Sequence, residues 1–379
     1  MKLKKYKQIS FYADNADNKV IYAEYKIPSL DSSPDREKLV QIDSKDFESY
    51  LRMIVYPKTN GNKSVAKMLQ EIKDYFINYG CPDVITPRVR TAGKLKDGLI
   101  EYDLCNHDQQ YIEITPGHWK ITHEHTHKFL KRHTNSSQVL PQKTGKNLIK
   151  LLKPFINASK SELILLVVWL VQAFCQGSHS ILLIMAGRGS GKSTLTKIIR
   201  KIVDPSKMGA GVLPLNEDHL LTTLTNSYLV AFDNTDELKK EQSDILCLAV
   251  TGATYTKRSA YSTNNVAAFD LHNTLIINGI DITPSAADLA ERCLLLNLKP
   301  LIESRKRDSD IEAEFNKALP EILGAIFALS GVQLIPVTNF FSSVAKCSSG
   351  SPSISAASRS ASSNFLFSNS IVVLFFFAT

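Results

Sequence analysis

Ile181 to Ser193, ILLIMAGRGSGKS, runs from a short apolar stretch into a glycine-rich turn that closes on Lys-Ser. Residue types in that order bind phosphate. Gly187, Gly189 and Gly191 let the backbone curl so that several N–H groups point at one anion. Lys192 would reach the β- and γ-phosphates of ATP, and Ser193 would hold Mg²⁺. The whole cradle is Ala186, Gly187, Arg188, Gly189, Ser190, Gly191, Lys192, Ser193 and Thr194, with Ala186 standing where the pattern has its first glycine. Thr194 to Ile202 continues with apolar residues at helical spacing, so the phosphates would sit at a helix N-terminus and gain from its dipole.

The other groups such chemistry needs follow along the chain. Asn226 to Asp233 (NSYLVAFD) reads as an apolar strand ending in an acid, with Asp233 placed to hold the water shell of Mg²⁺. Asn234 stands where many ATPases carry the carboxylate that activates water. Asp236 or Glu237 would take that role from the next turn, or hydrolysis is slow. Thr274 to Ile277 forms a strand ending at Asn278, in position to sense the γ-phosphate or orient the attacking water. Asp288 to Leu298 puts Arg292 between a helix and a strand, where an arginine finger acting in trans would lie if subunits form a ring. Lys257 and Arg258 sit between Tyr255, Tyr261 and an Asn264-Asn265 turn. A hairpin carrying cations and aromatics suits single-stranded DNA, through phosphate contact and base stacking.

His123-Glu124-His125-Thr126-His127 fits the H-E-x-x-H pattern of zinc proteases, but the reading fails. The pattern needs both histidines on one stable helix and a third ligand further on. Here it follows a strand-like HWKIT, and alternation would instead put His123, His125 and His127 on one face of a strand.

These groups need elements to hold them. With 379 residues and 44% apolar content the chain is long enough for about two domains. Residues 1–140 read as an α+β accessory region, with a strand at Val20 to Tyr25, a helix at Ser64 to Tyr79 and a hairpin turning at Pro116-Gly117. Arg88 and Arg90 alternate there as exposed strand arginines. Residues 135–146 are polar with Pro and Gly, a linker by composition. A nucleotide-binding α/β domain then spans 141–330. It opens with helical segments at Asn147 to Ile156 and Glu162 to Cys175 and closes with a helix at Ala318 to Ser330. The stretch 331–379 turns Ser-rich, loses all Asp and Glu, and ends in IVVLFFFAT; its abrupt composition points to a frameshifted reading frame from about Gln333, or a disordered tail. The net charge of +8 favours an anionic partner only weakly, since cations and acids are interspersed. Six cysteines without C-x-x-C spacing suit a reducing cytoplasm. The basic N-terminus lacks an apolar signal core, and Leu163 to Cys175 is too short to span a bilayer, so no membrane is expected.

Taken in order, AGRGSGKST, YLVAFDN, TGATYTKRSAYSTNN, TLIINGI and DLAERCLLLNL resemble the superfamily III helicase-like ATPases of the AAA+ group. The resemblance is closest to ATPases of phages, plasmids and integrated elements related to primase-associated helicases. It covers about residues 145–330 and implies a P-loop core with a parallel sheet. Lys192 and Ser193 would match the Walker A ligands, Asp233 the Walker B acid, Asn278 the sensor, Arg292 the finger, and Lys257 and Arg258 the DNA-facing hairpin. It also implies a cytoplasmic hexameric ring on single-stranded DNA, with a primase or another replication protein as partner. Asn234 departs from the double acid of vigorous helicases. That departure leaves room for a slow nucleotide-gated switch or scaffold responding to a protein partner.

Overall fold

Apolar residues at period two build the first sheet, in which β1 (Ile9–Asp14), β2 (Ile21–Ile27) and β3 (Arg36–Gln41) run antiparallel. Two amphipathic helices, α1 (Lys45–Val55) and α2 (Lys63–Tyr79), cover it with Phe47, Leu51, Ile72 and Phe76 against Ala23 and Val40. A short β4 (Val84–Ile85) joins parallel to β1. This is a computed structural model, and it describes residues 9–28, 35–55, 63–81, 83–94, 98–175, 177–187, 189–235, 237–258, 266–280, 283–284, 287–298 and 307–330. The tail from 331 and the hairpin tip with Tyr261, Asn264 and Asn265 lie outside the described residues.

The second sheet is an antiparallel meander of β5 (Thr91–Lys94), β6 (Leu99–Asp103), β7 (Tyr111–Thr115) and β8 (His118–Thr122). The Pro116-Gly117 turn between β7 and β8 has Gly117 at φ 74°, a left-handed conformation that glycine takes without strain. The strand ends at Thr122, so His123, His125 and His127 do not share a strand face as alternation had implied. They lie on a loop held by Glu101, which accepts from the backbone N–H of Thr126 at 2.7 Å and of His127 at 2.9 Å. No cluster of three His, Cys, Asp or Glu suited to a metal occurs among the described residues.

Residues 135–146 are packed, contrary to the linker reading. Gln138 is buried and donates to the carbonyls of Lys201 and Ile202, each at 3.0 Å. The backbone N–H of Gln142 donates to the carbonyl of Pro320 at 2.8 Å.

Asn147 then caps α3 (Leu148–Leu152), and a Ser159–Glu162 capping box starts α4 (Lys160–Gln172). Helix α4 is apolar nearly all round because it is buried, with Leu163, Leu166 and Trp169 in the same core cluster as Tyr102, Ile112 and Trp119 of the second sheet. Among the described residues no single helix is long and apolar enough to cross a membrane.

The third sheet follows from β9 (Ile181–Met185), α5 (Lys192–Val203), α6 (Glu217–Asn226), β10 (Leu229–Phe232), β11 (Glu237–Leu238), α7 (Lys240–Thr251), β12 (Thr254–Arg258), β13 (Val266–Asp270), β14 (Thr274–Gly279), β15 (Thr283–Pro284), α8 (Ala287–Glu291) and β16 (Cys293–Asn297). Its order is β10-β14-β9-β16, parallel throughout. These strands read as unbroken apolar runs because helices cover both faces. The acid-ending strand begins at Leu229, not Asn226, which is the last residue of α6. The fold is thus mixed α/β with several sheets, including this four-stranded parallel one.

The last helix, α9 (Asp308–Ser330), starts ten residues before the expected Ala318 and packs on α3, α4 and α5. Gly324 lets it touch the 135–146 segment: a Cβ there would lie 1.8 Å from the backbone oxygen of Gln142. Gly324→Ala is expected to destabilise the protein by about 1–3 kcal/mol, read as a lower urea midpoint.

His179, just ahead of β9, is buried with neither ring nitrogen hydrogen-bonded among the described residues, and burial pushes its pKa down from 6.5 to about 4. Above pH 6.5 it is neutral in both folded and unfolded chains. Between 6.5 and about 4 only the unfolded chain takes up the proton, so stability falls as pH drops through that window. The expected loss is about 3 kcal/mol. Urea midpoints for wild type and His179→Phe across that range check it, the variant losing this part of the pH dependence.

Candidate functional site

Four polar groups meet at the carboxyl ends of β9, β10 and β14. Parallel pairing dictates this, since Phe232 lies opposite Ile277 and Gly279 opposite Met185, so the residues leaving all three strands emerge at one edge. The turn from β9 to α5 has Gly189 at φ 74° and Gly191 at φ 87°, both left-handed, while Gly187 is not. Added Cβ atoms at Gly187 and Gly189 would meet nothing within 4 Å, so the turn borders open space. Ser190 stiffens it by donating to the Gly187 carbonyl at 2.8 Å. Lys192 begins α5 and folds back across the turn, its Nζ donating to the carbonyls of Ala186 and Gly187. Thr194 follows on the first turn of α5, and Arg188 lies outside the described residues.

Ser193 Oγ donates to Asp233 Oδ2 at 3.1 Å, which ties the glycine-rich turn to the end of β10. Asp233 Oδ1 accepts from the backbone N–H of Asn234 at 2.9 Å and from Asn278 Nδ2 at 3.4 Å. Asn278 is fully buried at the end of β14 and also donates to Thr196 Oγ1 at 2.7 Å. Its Oδ1, and the Oγ1 of neighbouring Thr235, are buried with no hydrogen-bond partner among the described residues. Two hard oxygen donors, Ser193 Oγ and Asp233 carboxylate, side by side beneath a lysine suit Mg²⁺ with a bound phosphate. The orphaned oxygens of Asn278 and Thr235 suit a water held nearby.

Asn234 is exposed in the left-handed region at φ 54°, a conformation that asparagine tolerates well. Asp236 and the side chain of Glu237 lie outside the described residues. Thr196 was not singled out in the sequence; its signal was its place one helical turn after Lys192, on the face that meets β14. Gly211 was also missed, although it flanks the site by accepting from the N–H of Asp233 at 2.8 Å.

Arg292 and the hairpin cations are not brought to this cluster. Cys293 pairs with Ile181 and Asn297 with Met185, so Arg292 sits at the opposite end of the parallel sheet from the glycine-rich turn. There it pairs with Asp288, NH2 to Oδ1 at 3.0 Å. Lys257 projects from β12 onto the start of α6, pairing with Asp218 at 2.6 Å and Glu217 at 3.2 Å. Arg258 closes the same strand.

Arg88 and Arg90 are not exposed strand residues. Arg88 pairs with Asp270 of β13 at 3.2 Å. Arg90, left-handed at φ 66°, is buried among acceptors: Asp204 Oδ1 at 2.8 Å and the carbonyls of Asp103, Ser136 and Pro205 at 3.2, 2.9 and 2.7 Å. The second oxygen of Asp204 accepts from the N–H groups of Tyr228 and Leu229 at 3.2 and 3.1 Å. This bridge fixes the start of β10, the strand that ends at Asp233.

Among solved structures, the apo C-terminal region of NrS-1 is similar at 14% identity, over 91% of this chain and 73% of that one, with a TM-score of 0.48. The JCV helicase is similar at 14% identity, over 52% of this chain and 57% of that one, with a TM-score of 0.31. No curated protein matches. Residues 147–338, half of the chain, match the model of the actinomycete integrative conjugative element replication protein, and the chain belongs to that family of replication proteins.

Proposed function

We propose that the protein is an ATP- and Mg²⁺-dependent ATPase acting on DNA, a helicase-like motor in the replication of its mobile element. The convergence of Lys192, Ser193, Asp233 and Asn278 on one sheet edge carries the reading. Lys192 would give up its carbonyl contacts to neutralise the β- and γ-phosphates, and Ser193 and Asp233 would hold Mg²⁺. The metal supplies charge neutralisation on the phosphates. Asn278, with its free Oδ1 beside Thr235, orients the attacking water.

Residues 141–330 are the ATPase domain in this reading, with a P-loop fold, and 1–140 an accessory region. Arg292, remote from its own chain's cluster, acts on the nucleotide of the next subunit in a cytoplasmic hexameric ring. Lys257 and Arg258 meet single-stranded DNA, and a primase or other replication protein is the partner.

A second reading has its own observation. Asn234 supplies no carboxylate beside Asp233, which favours a slow nucleotide-gated switch. ATP turnover in Mg²⁺, measured with and without single-stranded DNA, separates the two. Turnover that rises with DNA supports the motor. Tight ATP binding with negligible, DNA-indifferent turnover supports the switch, and absence of ATP binding overturns both.

A further inference from the structure

A cavity of about 270 Å³ lies between the first sheet, the segment after β8 and the β12–β13 hairpin, and no residue of the glycine-rich turn lines it. Its wall carries Arg88 and Arg132 together with Asp14, Asp17 and Asp270. Arg88 pairs with Asp270 at 3.2 Å. Asp14 accepts from the N–H groups of Ala16 and Asp17 and, at 2.9 Å, from the hydroxyl of Tyr22.

Arg132 is the exception. Among the described residues its guanidinium meets no carboxylate. NH2 makes a long contact of 3.4 Å to the Thr225 carbonyl, and Nε is buried without a partner. Burial pulls its pKa below the usual arginine range. A half-buried guanidinium with no carboxylate in hydrogen-bond reach has donors to offer an anion, which would seat on the Arg132 side of the cavity, away from Asp14, Asp17 and Asp270.

The other walls narrow the class of anion. Gln41 and Asn226 bring amide oxygens and nitrogens, the Nδ2 of Asn226 already donating to the Thr222 carbonyl at 2.8 Å, and Phe269 and Leu130 offer apolar surface. A nucleotide unit presents the matching set: an anionic phosphate, a polar edge and a flat ring that packs on apolar side chains. We propose that this cavity binds one nucleotide unit with its phosphate on Arg132, at a second site separate from the glycine-rich turn. The unit is either a free mononucleotide or one residue of a single strand, since both carry the same chemistry. An occupant would touch β13 and the first sheet together, and so link the hairpin to the accessory region.

The test uses the full chain carrying Lys192→Ala, so that the glycine-rich turn contributes little binding. Deoxyadenosine monophosphate is followed by equilibrium dialysis and a fluorescent oligodeoxyadenylate by anisotropy. Arg132→Met is expected to weaken binding by about tenfold or more. Ala268→Phe, which keeps Arg132 and fills the cavity, is expected to do the same. Loss in the monophosphate arm assigns the site to a free nucleotide, and loss in the oligonucleotide arm alone assigns it to a strand. Unchanged binding of both probes by both variants overturns the proposal, as does a parent that binds neither. If Arg132→Met does not fold, Ala268→Phe decides alone. ATP turnover by the wild type is a separate readout, so the ATPase reading stands or falls independently.

Discussion

Lys192→Ala is expected to reduce ATP turnover at least about a hundredfold while leaving the fold intact. The side chain is half-buried, and its hydrogen bonds go to the carbonyls of Ala186 and Gly187 within its own turn. Truncation therefore removes no packing core and leaves both carbonyls next to open space, where water replaces the ammonium. On the proposed ATPase reading, what is lost is the one cation within the turn's described residues that would meet developing negative charge on a transferring phosphoryl group. A colorimetric phosphate-release assay, with a thermal midpoint measured in parallel, checks both halves. Loss of turnover with an unchanged midpoint is the expected result. Residual turnover near the wild-type level would move catalysis away from this turn.

Arg90→Met is expected to cost about 3–5 kcal/mol of stability, a breakage of a buried ion pair rather than of a surface one. The Arg90 and Asp204 side chains are 0% and 2% exposed, so neither can turn to water when its partner goes. Methionine fills much of the volume but leaves the Asp204 carboxylate with the N–H groups of Tyr228 and Leu229 as its hydrogen-bond donors, and three backbone carbonyls lose a donor, that of Pro205 keeping the Ser136 N–H. Urea unfolding compared with Asp204→Asn and the double variant isolates the pair. The double variant is expected to lose less than the sum of the singles, because it no longer buries an unanswered charge. Since Asp204 holds the start of β10, Arg90→Met is also expected to loosen Asp233 at the strand's other end, seen as a raised requirement for Mg²⁺ in turnover.

Where a group's placement depends on neighbours within a dozen residues, the sequence was readable. The turn from Ala186 to Thr194, the strand ending at Asp233 and the strand ending at Asn278 are contiguous patterns, and the structure brings Lys192, Ser193, Asp233 and Asn278 to one edge. The hairpin at Pro116-Gly117 was legible for the same local reason. Arg90 was not, because alternation along the chain cannot reveal that Asp204, more than a hundred residues away, waits in the core. The 135–146 segment misled through its composition: much of it is exposed, but buried Gln138 spends its side chain on carbonyls of α5 and the backbone of Gln142 is tied to α9. Arg132 carried no motif at all, and only the packing of three separate regions around it makes a cavity.

The order β10-β14-β9-β16 has a consequence for how the chain is born. Strand β9 sits between two strands that are both made after it, and the outer one, β16, ends at Asn297. At about 5–20 residues per second, a ribosome needs roughly 6–20 seconds to add the chain from Ala186 to Asn297. Until Gly279 completes β14 both edges of an apolar strand, ILLIM, lack their native neighbours, and the β16 edge lacks its own to the end of that interval, a template for pairing with other nascent chains. The two sheets ahead of it are complete by then, and α4 already follows them. Phe174, just after α4, meets Tyr102 of β6 edge-on at 5.1 Å, and Trp169 Nε1 donates to the carbonyl of Ser180 just ahead of β9 at 2.8 Å, so the segment leading into β9 has contacts that need neither β14 nor β16.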